Sequence, residues 1–275
     1  MKRIFFFLVS YLFVSMINAQ VPYLFPSSTA VAGTSVAEIK SWSAFHNPAP
    51  LSELHHPQLF VQAENRYIIT ELSTKSLSIV YPVSHFVSAI SFSHFGFSLY
   101  HEMLLGIAFA RNFSGKFSLG MQFNYFTTYF LSSNSYHGTF FPQIGLNIPL
   151  NKNIQLGFHV FNPFQTNLKS DITTKRLPAI FSVGCAYDFS KNLVWRFQAD
   201  KEISSNYRFA TSFDYFLAEE VRFQTGIYGY DYLIPCLGFG YHTKNFTVDL
   251  IGELHPLLGL TTIAGITCNL PSMRF

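Results

Sequence analysis

The chain has 275 residues, of which 49% are hydrophobic and 18% aromatic but only 12% charged, with a formal net charge of +3. A soluble domain carries about 25% charged residues, so a water-borne fold of this composition would expose large apolar patches. The scattered Lys and Arg form no basic stripe, which leaves nucleic-acid binding without a footprint. The three cysteines, Cys185, Cys236 and Cys268, are too few and too far apart for a disulfide framework or a metal cluster.

At the N-terminus Lys2 and Arg3 precede an apolar run from Ile4 to Val14, and Ile17-Asn18-Ala19 has the form of a cleavage site before Gln20. This predicts a cleaved signal peptide over residues 1–19; a signal anchor is the alternative, but the run is short for a span. No Cys follows the cut, which argues against a lipoprotein. Beyond residue 20 no run approaches the ~18 apolar residues of a membrane helix. Residues 20–56 are rich in Pro, Ser and Ala and do not alternate. Val36 to Phe45 predicts a short helix, followed by Asn47-Pro48-Ala49. Pro48 fixes its own φ and biases Asn47 away from helix, and the Asn47 side chain can hold a turn by bonding nearby backbone. The motif suits an ordinary helix-ending turn as well as a plug that folds inside a barrel.

From about Gln58 the period becomes two. Phe117, Leu119, Met121, Phe123 and Tyr125 alternate with Ser118, Gly120, Gln122 and Asn124; Leu193, Trp195 and Phe197 alternate with Val194, Arg196 and Gln198. Successive strand side chains point to opposite faces, so one face is apolar and aromatic and the other polar or small. Short polar turns such as Asn151-Lys152-Asn153 and Lys244-Asn245 separate the runs. Longer links, Ser132 to Gly138 and Asn162 to Arg176, are expected as extracellular loops. The runs predict an all-β chain: a transmembrane antiparallel barrel of about 14 strands over residues 57–275. Phe275 and Met273 suit a terminal barrel strand, although Pro271 stops the alternation near Leu270. Periodicity alone would also fit a secreted β-sandwich adhesin with the apolar face inside. The signal peptide, the low charge and the aromatic excess favour lipid, because strands cross hydrocarbon only as a closed barrel. A bacterial outer membrane is the expected location, with its lipid and the barrel-assembly machinery as partners.

The alternation puts Arg196, Asp200, Arg208, Asp214, Arg222, Asp249 and Glu253 on the polar, lumen-facing side. Charges there are tolerable when paired. They make either a constriction and docking surface or an unspecific salt-bridged interior. His55-His56 does not amount to a metal site, and Ser132, Ser133, Ser135 and His137 share one loop without forming an oriented triad. No phosphate loop, dinucleotide fingerprint or Cys-x-x-Cys is present. No cofactor and no enzymatic activity are expected.

Ser35-Val36-Ala37 followed by Trp42-Ser43-Ala44-Phe45-His46-Asn47-Pro48-Ala49-Pro50-Leu51 resembles the N-terminal hatch of FadL-type and PorV/PorQ-like outer-membrane barrels. Further marks are Glu64-Asn65-Arg66-Tyr67, Phe161-Asn162-Pro163-Phe164, Arg176-Leu177-Pro178 and His255-Pro256-Leu257-Leu258-Gly259, which resemble a subgroup of small barrels of this kind. The resemblance implies a 14-stranded barrel with a plug. It implies one of two roles: an accessory barrel of type IX secretion, with secretion-system or cargo proteins as partners, or a passive channel for a hydrophobic small molecule. The accessory role is the first expectation, because several lumen charges suit a greasy passage poorly.

Overall fold

A computed structural model describes residues 30–169, 174–229 and 232–271. The predicted signal peptide and the terminal Met273 and Phe275 lie outside the described residues. The strands are β1 Gln58–Asn65, β2 Ser73–Pro82, β3 Val87–Phe97, β4 Tyr100–Phe113, β5 Phe117–Phe130, β6 Ser135–Pro149, β7 Ile154–Phe161, β8 Asn167–Lys169, β9 Thr174–Arg176, β10 Ile180–Ser190, β11 Leu193–Glu202, β12 Tyr207–Phe216, β13 Val221–Gly229, β14 Leu233–His242, β15 Phe246–His255 and β16 Gly259–Asn269. Fourteen of them close into one antiparallel barrel, each pairing with its chain neighbours and β1 pairing with β16; β8 and β9 form a separate hairpin. Closure removes the sheet edges that a membrane would not tolerate. It also rules out the sandwich alternative, in which two open sheets would pack their apolar faces together.

That face points outward. On β5, Leu119, Met121 and Phe123 are exposed while Ser118, Gln122 and Asn124 are buried. The same division runs around the wall: Leu237 and Phe239 on β14 are exposed, and Gln224 on β13 is fully enclosed. An apolar belt of this extent suits hydrocarbon, and the polar residues face the lumen. Toward one end of β3 to β6, His94, His101, Tyr129 and Tyr136 stack ring on ring, with successive centroids 5.3, 4.8 and 4.8 Å apart. Polar aromatics of this kind sit well at a membrane interface.

The chain enters β1 at one end of the barrel, and all turns at that end are short: 83–86, 114–116, 150–153, 191–192, 217–220 and 243–245. The opposite end carries the turns 66–72, 98–99, 131–134, 203–206 and 256–258, together with the links from β7 to β10 and from β13 to β14. The expected link from Ser132 to Gly138 is shorter than predicted, because β6 already begins at Ser135. The link after Asn162 contains the β8–β9 hairpin. The expected helix from Val36 to Phe45 is not formed. Residues 30–54 instead make three short 3-10 turns, Val31–Gly33, Ser41–Phe45 and Ala49–Glu53. The physical reason is competition: barrel side chains take the backbone groups that a helix would pair internally.

Candidate functional site

Four backbone groups of residues 30–54 are bonded by inward-facing side chains from different sectors of the wall. The Arg208 guanidinium on β12 donates to the Ala32 carbonyl. Val36 N–H donates to Gln198 Oε1 on β11 at 3.0 Å, Ser78 Oγ on β2 donates to the Ser41 carbonyl at 3.0 Å, and Gln143 Nε2 on β6 donates to the Ala44 carbonyl at 3.4 Å. Thr34 Oγ1 and Ser212 Oγ lie 2.7 Å apart. The segment therefore touches opposite walls, and its buried carbonyls find the partners that burial demands. At its far end Glu53 accepts from Asn112 Nδ2 at 2.5 Å and Ser118 Oγ at 2.9 Å.

Asn47 is fully buried. Its Nδ2 donates to the Val36 carbonyl at 2.7 Å and to the Leu146 carbonyl of β6 at 3.3 Å, while its Oδ1 accepts the Ala49 N–H at 3.1 Å. One amide thus joins two parts of the segment and the wall. Pro48, with φ of −72°, leads into the Ala49–Glu53 turn, and Ala49 is enclosed. The wall is shaped to fit. A Cβ added at Gly145 would fall on Asn47 Oδ1, and one at Gly157 would fall on the Val36 carbonyl oxygen, so only glycine permits these close approaches.

Of the seven charges expected on the polar face, Arg196, Asp200, Asp214, Arg222, Asp249 and Glu253 are buried and Arg208 is half-buried. Arg196, Arg222, Asp214 and Asp249 converge. Arg196 Nη1 lies 2.8 Å from Asp214 Oδ2, Arg222 Nη1 lies 3.1 Å from the same oxygen, and Arg222 Nη2 lies 2.6 Å from Asp249 Oδ1. Gln224 donates to the other Asp214 oxygen at 3.2 Å. Glu38, from the N-terminal segment, completes the group at 3.4 Å from Arg196 and 3.7 Å from Arg222. Asp200 and Arg208 form a second pair at 2.7 Å. The Arg208 guanidinium stands 4.6 Å over the Tyr228 ring, whose hydroxyl donates to Glu253 at 2.9 Å. Removing one partner of such a buried pair typically costs about 3–5 kcal/mol. Sequence reasoning missed Glu38, as well as the buried Glu64–Arg66 pair at 2.5 Å. Glu38 did carry a signal: with Lys40 and Glu53 it is one of few charges in a Pro, Ser and Ala stretch.

Beside buried polar side chains such as Ser91, Gln122, Asn124 and Thr128, the interior holds separate apolar clusters, which the period-two reading did not anticipate. Val31, Ala210, Ile234, Cys236, Ile251 and Ile263 form one buried cluster, and Ala44, Leu51, Val80, Val87, Ala108 and Ala110 belong to another. A third lies at the long-loop end, where Leu168 and Leu177 of the 162–179 loop pack on Leu104, Phe126, Phe141, Phe161 and Ile180. Asn162, with φ of 47°, organises that loop: its Nδ2 donates to the Leu177 and Pro178 carbonyls, both at 3.2 Å, and its Oδ1 accepts Thr166 N–H at 3.1 Å. Lys175 reaches Glu102 at 3.3 Å, and Tyr100 donates to the same carboxylate. Pairing of β6 with β7 begins only at Gln143 and Phe161, so β6 runs on past its neighbour from Pro142 to Ser135. Pro142 has no N–H to leave unpaired at that step, and its carbonyl accepts from Asn162 N–H at 3.1 Å.

Ser135 Oγ and His137 Nε2 lie 2.9 Å apart at the rim of β6. Among the described residues no group of three His, Cys, Asp or Glu is placed to hold a metal ion.

The toluene transporter TodX of P. putida superposes with a TM-score of 0.64 and 11% identity, over 90% of this chain and 100% of that one. A Pseudomonas aeruginosa FadL homologue gives 0.64 and 12%, over 89% and 97%. A deltaS2 mutant of the TodX monoaromatic hydrocarbon channel gives 0.67 and 11%, over 88% and 97%. No protein-family model and no curated protein matches the chain in sequence. At such identities the likeness is one of architecture: the chain has the fold of FadL-like outer-membrane barrels.

Proposed function

We propose that this chain is a non-enzymatic outer-membrane barrel that passes small hydrophobic molecules by diffusion, with residues 30–54 as its internal plug. The observation that carries the reading is the division of the interior. The ionic side chains are paired with one another and with the plug, while apolar clusters stand apart from them among uncharged polar side chains, one being the Leu104–Phe126–Phe141–Phe161 cluster under Leu168 and Leu177. Charged residues that hold a plug do not oppose a greasy passage, so the objection that put the channel second to the accessory barrel falls away. Similarity of fold to channels supports the same order. The role in type IX secretion, with its secretion-system and cargo partners, draws no support from those likenesses. The hydrophobic small molecule is the partner class favoured here, and monoaromatic hydrocarbons and fatty acids are suitable probes.

The test is uptake of a radiolabelled monoaromatic hydrocarbon and of a fatty acid by cells with and without the gene, alongside mass spectrometry of apolar molecules retained by the purified barrel. Gene-dependent uptake of either probe supports the channel. Equal uptake by both strains, together with co-purification of a secretion complex, would return the accessory role to first place.

A further inference from the structure

The wall is not of one height. β4 and β5 have 14 residues and β6 has 15, whereas β13, β14, β15, β16, β1 and β2 have 9, 10, 10, 11, 8 and 10. At about 3.4 Å per residue and a tilt of about 40°, ten residues rise about 26 Å and fourteen about 36 Å. The hydrocarbon of a bilayer is about 30 Å thick. The low side therefore ends near the hydrocarbon boundary, where its turns meet lipid, while the tall side stands clear.

The side chains follow this difference. The rim of the tall side and of the adjoining β3 carries the His94, His101, Tyr129 and Tyr136 series, together with exposed Leu99, Phe130, Leu131 and Phe140. The low side shows Leu233 and Leu254 at its strand ends and Ile68, Leu257 and Leu258 in its turns, all more than half exposed. Their strands are neighbours in the barrel, in the order β1, β16, β15, β14, so the exposed residues continue the lipid-facing columns to the strand ends and into the turns. The turns are also built rather than loose. His255 Nδ1 accepts the Leu257 and Leu258 amides at 3.2 and 3.1 Å. The His255 ring meets Tyr67 at 6.0 Å and Tyr232 at 5.8 Å, which ties three turns together. Tyr67 and Ile68 hold φ of 57° and 58°, a left-handed conformation that a β-branched residue rarely adopts. It persists where surrounding contacts impose it, and here it presents Ile68 outward.

We propose that the turns at 66–69, 232–233 and 254–258 form an apolar sill seated in the acyl layer of the membrane, with lipid chains as its occupant. The sill fixes the depth of the barrel and keeps the tall β4–β6 wall above the bilayer. The proposal rests on the membrane placement proposed above.

Single tryptophans report it, measured against the unmodified protein, which has Trp42 and Trp195. Ile68→Trp, Leu257→Trp, Phe239→Trp in the belt and Tyr136→Trp on the tall rim are reconstituted into phosphatidylcholine vesicles with brominated acyl chains. The added emission of Ile68→Trp and Leu257→Trp is expected to be quenched by the brominated chains as strongly as that of Phe239→Trp. Acrylamide should leave those three unchanged and quench Tyr136→Trp. Acrylamide quenching of both sill variants, with Phe239→Trp still quenched by lipid, would overturn the sill while leaving the barrel in its membrane. Shielding of both sill variants from both quenchers would overturn it as well and point to a second copy or a protein partner. Loss of lipid quenching at Phe239→Trp would instead remove the membrane placement itself.

Discussion

At the scale of single residues, the interior is decided by a few side chains that each bond several backbone groups. Asn47 is the clearest. Replacing it with Ala removes three hydrogen bonds and leaves the buried Val36 carbonyl short of a donor. A cost of about 1–3 kcal/mol is expected, seen as faster protease cleavage within residues 30–54 of the purified barrel while the barrel itself stays folded. Unchanged cleavage would mean that Asn47 does not pin this segment. His46 gives that docking a pH dependence. Burial first, and Arg208 second, push its imidazole down to about 3 from 6.5. The undocked ring takes up a proton at a pH where the docked one cannot, so docking is at full strength above 6.5 and weakens as pH falls from 6.5 toward 3. Protease access to the plug should increase from pH 7 to pH 5, and His46→Gln should flatten that slope; a slope that survives the substitution assigns it to another group. Of these residues, Asn47-Pro48-Ala49 was legible in the sequence as a turn. Its bonds to Leu146 and Val36 were not, because a side chain's partner 99 residues away leaves no local trace.

At the scale of elements, the 162–179 loop is held over the mouth by Leu168 and Leu177 more than by its ion pair. Lys175 is about half exposed, so its bridge to Glu102 is worth little in water. Leu177 is fully buried, and truncating such a leucine usually costs about 2–5 kcal/mol. Leu168→Ser combined with Leu177→Ser should therefore lift the loop and raise the rate of uptake of a hydrophobic probe, whereas Lys175→Ala should leave it nearly unchanged. A slower rate in the leucine double variant would mean that the cluster serves to bind the solute rather than to cover the mouth. The loop was visible in sequence as a long link, but its small hairpin and its burial were not. Three-residue strands are too short to show a period, and Leu168 and Leu177 acquire their apolar surroundings only from β4, β5, β6, β7 and β10. The helix expected from Val36 to Phe45 failed for a related reason. Its apolar spacing was compatible with a helix, yet Gln198, Ser78 and Gln143 offered its backbone other partners.

At the scale of the whole molecule, the outward belt and the closed ladder make one prediction together. Every strand in the ring is held by a ladder on each side, so none is an edge and none can leave without breaking two ladders. The barrel should resist detergent unfolding at room temperature, migrate faster on an unheated gel than after boiling, and leave the membrane only with detergent. A mature chain recovered in the aqueous fraction, with one mobility before and after boiling, would contradict the placement in lipid.

The sequence by itself determined an all-β chain of about 14 strands beginning near Gln58, with an apolar face opposite a polar one, because a period of two is a local property that each strand states alone. Only the tertiary structure decided which charges meet, that Glu38 of the N-terminal segment joins Arg196 and Arg222, and that Gly145 and Gly157 make room for Asn47 and Val36. Those are contacts between elements far apart in the chain. They depend on the register of every intervening strand, a quantity set by closure of the ring and not by any one stretch of residues.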